Sequence, residues 1–384
     1  MTASLYVHIP FCVRKCEYCD FYSEAAGEAD IDRYLEALER EFRLRFPLGL
    51  SPETIFIGGG TPTRLSATQL RKLGETFARH VDRRLLNEFT VEINPGTLTA
   101  EKADALAAMG VTRASFGVQS FNDEFLKQLG RIYEVGKAGE AVRIARRAGI
   151  GRISMDLIFA LPGQTLSQLR DDIDQALAQG TEHLSFYALT YEDDTPLTLA
   201  LQRGEVQPCA EELEREMFRL VGETCARAGL DRYEVSNFAR PGAECRHNLV
   251  YWTLGNWHGL GSGAHGQVAG EITENAADHK VYSQYLLEKH ELPIVRREQL
   301  TPPQLAETLL LMGLRLTRGV DLARFAQFAG TSFDAACGDC AQELTRQGLL
   351  EVTPSHVRCT SEGLLLLDRV VLELAASIGS EAKT

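Results

Sequence analysis

The chain contains 384 residues, of which 44% are hydrophobic and 24% are charged, and these values are ordinary for a globular protein. The formal net charge of −13 argues against nucleic acid as a partner, because non-specific binding to nucleic acid depends on basic surface. We expect no membrane-spanning segment, which needs ~20 apolar residues, and no signal peptide. The nine cysteines are an odd number, which disfavours a secreted disulfide framework and favours the reducing cytoplasm.

Short β-rich runs alternate with helical patterns through the first half of the chain. The predicted strands are residues 5–9, 54–57, 89–93, 113–118, 153–159 and 183–189. The predicted helices between them are residues 32–46, 67–80, 100–109, 122–129, 136–148 and 166–179. This alternation predicts an α/β fold with a parallel sheet and right-handed crossovers. About six such units form a partial (β/α)6 TIM-type barrel rather than a closed eight-stranded one.

The densest chemical signal is a run of three cysteines, Cys12, Cys16 and Cys19. Thiolates are soft ligands, and such a run can converge on one metal centre without help from distant parts of the chain. Free cysteines can also pack as small hydrophobic side chains, but the charged residues between these three argue against a packed core. An iron–sulfur cube usually takes four cysteines, so three would leave one iron free for another ligand.

Polar and glycine-rich segments follow four successive predicted strands, at residues 58–62, 92–95, 115–120 and 156–164. Each segment alone is also compatible with a surface turn. Barrel enzymes keep their chemistry at the carboxyl ends of their strands, and four strands that end in this way favour one shared site. Glycines let the backbone approach a ligand closely, and carboxylates suit amines or ribose hydroxyls.

The spacing C-x3-C-x2-C, with residues 5–11 before it, resembles the radical S-adenosylmethionine (SAM) superfamily, in particular its coproporphyrinogen oxidase-like family. The resemblance implies that Cys12, Cys16 and Cys19 hold a 4Fe–4S cluster and that SAM chelates the open iron. It also implies a set of SAM contacts, namely Tyr6, Gly59, Gly60, Thr61, Glu92, Gln119, Arg131 and Asp156. One position departs from the family, since Tyr133 stands where the family has His.

A predicted helix near residues 211–228 precedes the segment His247-Asn248-x-x-Tyr251-Trp252. A histidine can ligate haem iron, and aromatic faces can hold a planar macrocycle. The residues alone leave a second interpretation open. In it, His247 and Asn248 hydrogen-bond in the core while the two aromatic residues pack at a domain junction. His265, in the glycine-rich segment that follows, carries the same two interpretations.

Towards the C-terminus the pattern changes to helices at residues 304–315, 321–329, 333–347 and 362–376, with β-rich runs at 350–352 and 356–359. It predicts a smaller helical domain with a β-wing, and the acidic balance disfavours DNA binding. We place the barrel domain at residues 1–235 and the linker with the second domain at residues 236–384. Cys337 and Cys340 form a C-x2-C pair near Cys359 in this region, and without further partners we favour core thiols.

Two branches of this family fit the chain differently. The oxygen-independent coproporphyrinogen III oxidases typically carry a fourth cysteine two residues beyond the third, where this chain has Phe21. The haem chaperone branch, HemW, resembles the oxidases but binds haem, and it carries both Cys-x-Phe and His-Asn-x-x-Tyr-Trp. The resemblance therefore implies a haem chaperone with haem as cargo and client haemoproteins as partners. It also makes His247, Asn248, Tyr251 and Trp252 the candidate haem site.

The alternative is a radical SAM enzyme that acts on a tetrapyrrole, such as the oxygen-independent coproporphyrinogen III oxidase. The cluster motif is the same in both cases, so enzymatic activity stays open at this stage. A dimer promoted by the cluster and SAM, and peripheral contact with membrane haemoproteins, are further expectations.

Overall fold

The computed structural model describes residues 3–131 and 135–378, and Tyr133 lies outside them. Six strands pair in parallel and in chain order: β1 (Ser4–Ile9), β2 (Thr54–Gly59), β3 (Glu88–Ile93), β4 (Arg113–Gln119), β5 (Arg152–Phe159) and β6 (His183–Ala188). The helices among them are α1 (Glu28–Arg45), α2 (Ala67–His80), α3 (Ala100–Met109), α4 (Asp123–Gln128), α5 (Gly136–Arg147) and α6 (Leu166–Ala178). The predicted α/β partial barrel is confirmed.

The barrel strands are apolar because both of their faces are covered. Leu5, Val7 and Ile9 of β1 are fully buried and belong to the larger of the hydrophobic cores. The helices pack through one apolar face each, and their ends carry the expected signals. In α2, for example, Ser66 and Gln69 form a capping box. Because the six strands run parallel, their carboxyl ends meet along one edge of the sheet.

The sheet continues beyond the barrel strands on both sides and contains twelve strands. Antiparallel strands β7 (Asp231–Arg232) and β8 (Asn237–Ala239) extend it beside β6. On the other side, β9 (Trp257–Leu260) is parallel to β1, and β10 (His265–Val268), β11 (Glu271–Asn275) and β12 (Ile294–Gln299) follow as antiparallel strands. The sequence analysis does not predict these strands, because they are short and several of them lack an apolar alternation.

Helices α7 (Pro196–Gln202), α8 (Glu211–Arg227), α9 (Arg246–Trp252) and α10 (His279–Gln284) connect these strands, and a π-helical turn, Tyr285–Lys289, follows α10. Of these, only α8 is predicted from the sequence. Within residues 3–131 and 135–378, no helix is long and apolar enough to cross a membrane.

The C-terminal region has a second hydrophobic core of its own. It comprises α11 (Pro302–Gly313), α12 (Leu322–Ala329), α13 (Phe333–Arg346), α14 (Ser361–Leu365) and α15 (Leu367–Ile378), with a small sheet of β13 (Val320–Asp321), β14 (Leu350–Val352) and β15 (His356–Cys359). The predicted continuous helix at 362–376 is wrong, because the helical conformation is interrupted at Leu366. The predicted domain boundary at 235/236 stays a prediction, and the strands directly after it still belong to the large sheet.

A buried ion pair closes the amino-terminal end of the barrel. Arg113, which begins β4, donates from Nε to Glu88, which begins β3, at 3.0 Å, and each side chain is 2% exposed. Arg113 also donates to the carbonyl of Ala243 at 2.6 Å, and Glu88 accepts from backbone N–H groups at the start of α9. A negative charge stabilises a helix N-terminus. The pair therefore links the starts of β3 and β4 and also holds the start of α9 against them.

Replacing Arg113 with Met should leave Glu88 buried without its cation and lower the free energy of unfolding by about 3–5 kcal/mol. Urea denaturation followed by circular dichroism measures this loss. The matched control is Arg71→Met, because Arg71 pairs with Glu101 at the surface, where ion pairs contribute little. A loss in Arg113→Met no larger than in the control would contradict the role of the buried pair.

Candidate functional site

A cavity of about 410 Å³ lies at the carboxyl ends of the barrel strands. It brings together residues that are far apart in the sequence but that the sequence analysis groups by chemistry. The predicted cluster and SAM residues that line it are Cys12, Cys16, Cys19, Gly59, Gly60, Thr61, Glu92, Gln119, Arg131 and Asp156. The cavity is therefore where four strand ends and the cysteine run meet.

The three cysteines lie on the irregular loop that follows β1. Backbone hydrogen bonds hold the loop, from Cys12 N to Glu24 O at 2.9 Å and from Cys19 N to Cys16 O at 3.3 Å. The Thr61 hydroxyl lies 3.4 Å from Cys12 Sγ, within hydrogen-bonding distance of the sulfur. All three thiols are partly exposed and none forms a disulfide.

The three thiols are the candidate ligands of the expected cluster. Among residues 3–131 and 135–378, no group of three or more His, Cys, Asp or Glu side chains is placed to hold one metal ion. A 4Fe–4S cube takes each thiolate on a different iron atom, so its cysteines surround a volume instead of a point. Burial raises the pKa of Cys16, and it raises the pKa of Cys19 to about 11. Burial therefore favours the protonated form of both thiols.

Two glycines at the end of β2 form one wall of the cavity. Gly59 has a φ of +109°, and a Cβ there would lie 2.5 Å from the ring of His8. A Cβ at Gly60 would lie 3.0 Å from the backbone of Phe11. Only glycine fits at Gly59, and its N–H donates to Glu92 Oε2 at 3.1 Å.

Two partly exposed carboxyl groups face the same cavity, Glu92 and Asp156. Burial, with the neighbouring charge of Asp156, raises the pKa of Glu92 to about 8. Burial also raises the pKa of Asp156, although Ser115 and Ser185 donate hydrogen bonds to it at 2.9 and 2.7 Å. A cationic ligand would offset the cost of holding these two groups together, and SAM carries both an ammonium and a sulfonium.

The cavity also contains a cation that suits a carboxylate. Arg131 donates from Nη2 to the Tyr18 hydroxyl at 2.9 Å, and its guanidinium lies near the backbone of Gly117. Next to it, Gln119 adopts a left-handed backbone conformation with a φ of +70°. Arginine can bind a carboxylate through two parallel hydrogen bonds, so Arg131 is chemically suited to the carboxylate of SAM.

Tyr6 is the one predicted SAM residue that does not line the cavity. Its hydroxyl instead forms a 2.9 Å hydrogen bond with Nδ1 of His8, two residues further along β1. Conversely, the residues at and after the end of β6 also line the cavity but were not predicted from the sequence, namely Tyr187, Ala188, Leu189, Thr190 and Glu192. The rule that strand ends carry the site could have included them, because β6 was among the predicted strands.

The predicted haem residues lie at the other end of the barrel, on α9. The imidazole of His247 is fully buried and contacts Thr54 Oγ1 at 2.7 Å through Nδ1 and the Tyr251 hydroxyl at 2.8 Å through Nε2. Burial lowers the pKa of His247 to about 3, so the ring is neutral. Thr54 begins β2, whereas Gly59 ends it, so about 17 Å of strand separates His247 from the cavity.

The other three residues of that segment are less buried than His247, whereas Cys337 lies in the second core. Asn248, Tyr251 and Trp252 are partly buried, and the guanidinium of Arg315 lies 4.9 Å from the ring centroid of Trp252. Cys337 is buried in the second core, where its thiol donates to the carbonyl of Leu374 at 3.6 Å. This contact agrees with the interpretation of Cys337 as a core thiol.

The model of the radical SAM superfamily matches residues 6–176, and that of the HemN C-terminal domain matches residues 300–366. The heme chaperone HemW of Bacillus subtilis is 40% identical over 370 residues, which cover 96% of this chain and 97% of that protein. The chain belongs to the HemW family.

Other relatives agree with membership of the HemW family. The heme chaperone HemW of Mycobacterium tuberculosis (strain ATCC 25618 / H37Rv) is 35% identical and covers 96% of this chain and 94% of its own. The mitochondrial radical S-adenosyl methionine domain-containing protein 1 of Bos taurus is 34% identical and covers 98% and 88%. The coproporphyrinogen III oxidase HemN of Escherichia coli superposes with a TM-score of 0.83 at 23% identity, covers 97% of this chain and 90% of its own, and has the same fold.

The raised pKa of Glu92 predicts a pH-dependent loss of stability. Its folded pKa of about 8 lies above the ordinary value of 4.5, so the folded state binds the proton more tightly than the unfolded state. Ionisation of Glu92 therefore destabilises the fold as the pH rises from about 5 to about 8, and the penalty is constant above that range. Urea denaturation at several pH values should show that Glu92→Gln removes this part of the pH dependence.

The matched control is Glu101→Gln, an exposed carboxyl at the start of α3, which should leave the pH dependence unchanged. Parallel stability curves for Glu92→Gln and the wild type would contradict the assignment.

Proposed function

We propose that this protein is a haem chaperone that binds haem and transfers it to client haemoproteins while carrying a 4Fe–4S cluster and SAM. The main support is full-length similarity to proteins named heme chaperone HemW. The cavity adds to it, because three cysteines line it while Phe21 occupies the position of a fourth, with 65% of its surface exposed. We place the protein in the cytoplasm, where its nine thiols remain reduced.

In this proposal Cys12, Cys16 and Cys19 hold the cluster, which when bound supplies an open iron to which SAM can be anchored. The chain's own residues then bind and orient SAM. The backbone of Gly59 and Gly60 faces its methionine end, Arg131 pairs with its carboxylate, and Asp156 accepts hydrogen bonds from ribose hydroxyls. Glu92 lies beside these groups and balances positive charge. Thr61 contacts a cysteine sulfur, so it orients that ligand as well.

The residues proposed to contact haem on α9 differ in how accessible they are to a ligand. Direct ligation of iron by His247 requires one of its two ring hydrogen bonds to break and its fully buried ring to become accessible. Trp252, at the other end of the segment, needs no such change, since its buried indole N–H has no hydrogen-bond partner within the described ranges. We therefore keep the segment His247, Asn248, Tyr251 and Trp252 as a proposed contact with haem, with most support for its Trp252 end.

A second function, radical SAM chemistry on a tetrapyrrole, is favoured by the match to HemN over nearly the whole chain. The two functions differ in what happens to a porphyrinogen. Anaerobic incubation of reconstituted protein with SAM, dithionite and coproporphyrinogen III should give no protoporphyrinogen. Its formation, with 5′-deoxyadenosine in proportion, would replace the chaperone proposal by an oxidase.

Transfer itself is tested by mixing the haem-loaded protein with apomyoglobin and following the growth of the holomyoglobin spectrum. A chaperone should give faster or more complete transfer than haem bound to serum albumin at the same concentration. Transfer no better than from albumin would contradict the proposed function. The same assay with and without SAM tests whether the radical SAM site takes part. Gel filtration of both samples tests whether the cluster and SAM promote a dimer.

Cluster binding has its own prediction. Cys16→Ala should lose most of the iron and the visible absorption of the reconstituted protein, because only two of the three thiolates remain. Cys337→Ala, which removes a thiol from the second core, is the matched control and should keep both. Iron analysis and absorption spectra measure the effect, and equal iron content in the two variants would show that Cys16 is not a ligand.

A further inference from the structure

A second cavity, of about 540 Å³, adjoins the cysteine cavity. Tyr187, Ala188 and Thr190, at and after the end of β6, line both, so these residues form a common wall. The rest of the second cavity comes from both lobes of the molecule: the barrel contributes the end of β5 and the first turns of α8, and the C-terminal region contributes α14. We call this space the interlobe cleft.

The walls of the interlobe cleft combine an apolar part with a charged part. The barrel supplies Phe159, Phe186 and Phe218, and the C-terminal region supplies Leu364, Leu365 and Leu366. Tyr187, which is 42% exposed, stands at its boundary with the cysteine cavity. A space of this size with aromatic and aliphatic walls is typical of sites for large organic ligands, and aromatic rings pack well on a planar macrocycle.

The charges in the cleft are unevenly paired. Arg215 forms an ion pair with Glu211 at 3.1 Å, and burial together with the charge of Glu211 raises the pKa of Glu214. Arg315 forms no ion pair within 4 Å among the residues that the structure describes, and its buried Nε has no hydrogen-bond partner there. Its charge does act on the buried carboxyl of Glu234, where it opposes the burial that raises the pKa of that group. The guanidinium of Arg315 lies over Trp252. Arg315 is therefore the cation of the cleft that is available to an acidic ligand.

We infer that the interlobe cleft binds the tetrapyrrole ring of haem, with one propionate on Arg315. This inference rests on the proposed haem-carrying function. It accounts for a cleft with an apolar part and a cation that forms no ion pair within 4 Å among the described residues, and it brings haem next to Trp252 without any movement of His247. It also places the haem ring and the three cysteines on opposite sides of the wall that the two cavities share.

Among the residues that the structure describes, the lining of the cleft contains no His, Cys or Met, which are common ligands of haem iron. It does contain Tyr187, but desolvation raises the pKa of that phenol, which stays protonated and is then a poor ligand. The ring is therefore held by its faces and its carboxylates, and the iron contributes little to affinity. Metal-free protoporphyrin IX should consequently bind the protein within about three-fold of the affinity of haem. A site centred on His247 would instead lose most of its affinity when the iron is absent.

The experiment is a set of equilibrium titrations of the full-length reconstituted protein with haem and with protoporphyrin IX. Arg315→Gln removes the cation and Leu365→Trp fills the cleft, and each should weaken both ligands by about ten-fold or more. Arg318→Gln and Leu372→Trp are the matched controls, because both residues are exposed outside the cleft, and they should change affinity by less than two-fold. Thermal melting and iron content check that each variant is folded.

Two further variants test competing locations. His247→Ala removes the predicted α9 ligand, and His258→Ala removes an imidazole from a third cavity of about 530 Å³ beside the end of α1. His258→Ala should leave the affinity and the Soret band unchanged. His247→Ala should weaken haem and protoporphyrin IX equally or not at all, because the iron is not bound there. If either variant weakens haem while the cleft variants do not, the cleft assignment is overturned and haem binding stands. If the wild type binds neither ligand saturably, the haem-carrying function fails together with the cleft assignment.

Discussion

The site depends on how closely the end of β2 approaches the end of β1. Gly59 and Gly60 leave no room for a Cβ, and the backbone N–H groups of Gly60 and Thr61 donate to Ile9 O and Phe11 O, both at 2.9 Å. This contact carries Thr61 to within 3.4 Å of Cys12 Sγ. Any side chain at Gly59 would separate the two strand ends, and the cysteine loop and Glu92 would lose their shared support. The close packing of the two strand ends therefore requires the glycines, whether or not a ligand is bound.

The two ends of the barrel use polar groups in opposite ways. At the amino-terminal end, Glu88, Arg113 and His247 are buried with their partners in place, which stabilises the fold. At the carboxyl end, Glu92 and Asp156 face one cavity, and desolvation makes both costly to ionise. Barrels commonly keep stability at the first end and chemistry at the second. A buried histidine next to aromatic residues therefore does not by itself mark a ligand site.

Much of the fold follows from local patterns in the sequence. The strands β1–β6 are predictable because each is a short apolar run followed by polar or glycine-rich residues, and the cysteines are predictable from their spacing. The strands β7–β12 are not, since their pairing depends on edges that only the assembled sheet provides. The break at Leu366 is also invisible in the sequence, where residues 362–376 read as one apolar helix.

The candidate site is predictable to a similar extent and for the same reason. Residues that act through a local motif, such as Cys12 or Gly59, can be found from their neighbours in the chain. The surroundings of His247 cannot, because its partner Thr54 lies 193 residues away. The interlobe cleft is likewise assembled from segments that no motif connects. Family resemblance names the residues of a motif, but only the three-dimensional contacts decide which of them face a ligand.

The wall formed by Tyr187, Ala188 and Thr190 has a thermodynamic consequence. A ligand in one cavity that contacts these side chains also affects their positions in the other cavity. If a ligand in the cysteine cavity changes the affinity of the cleft by some factor, a ligand in the cleft must change the affinity of the cysteine cavity by the same factor. Binding and release of the ligands in the two cavities would then be one coupled equilibrium. The affinity for the cargo would depend on whether the cofactor is bound, and the affinity for the cofactor would depend on whether the cargo is bound.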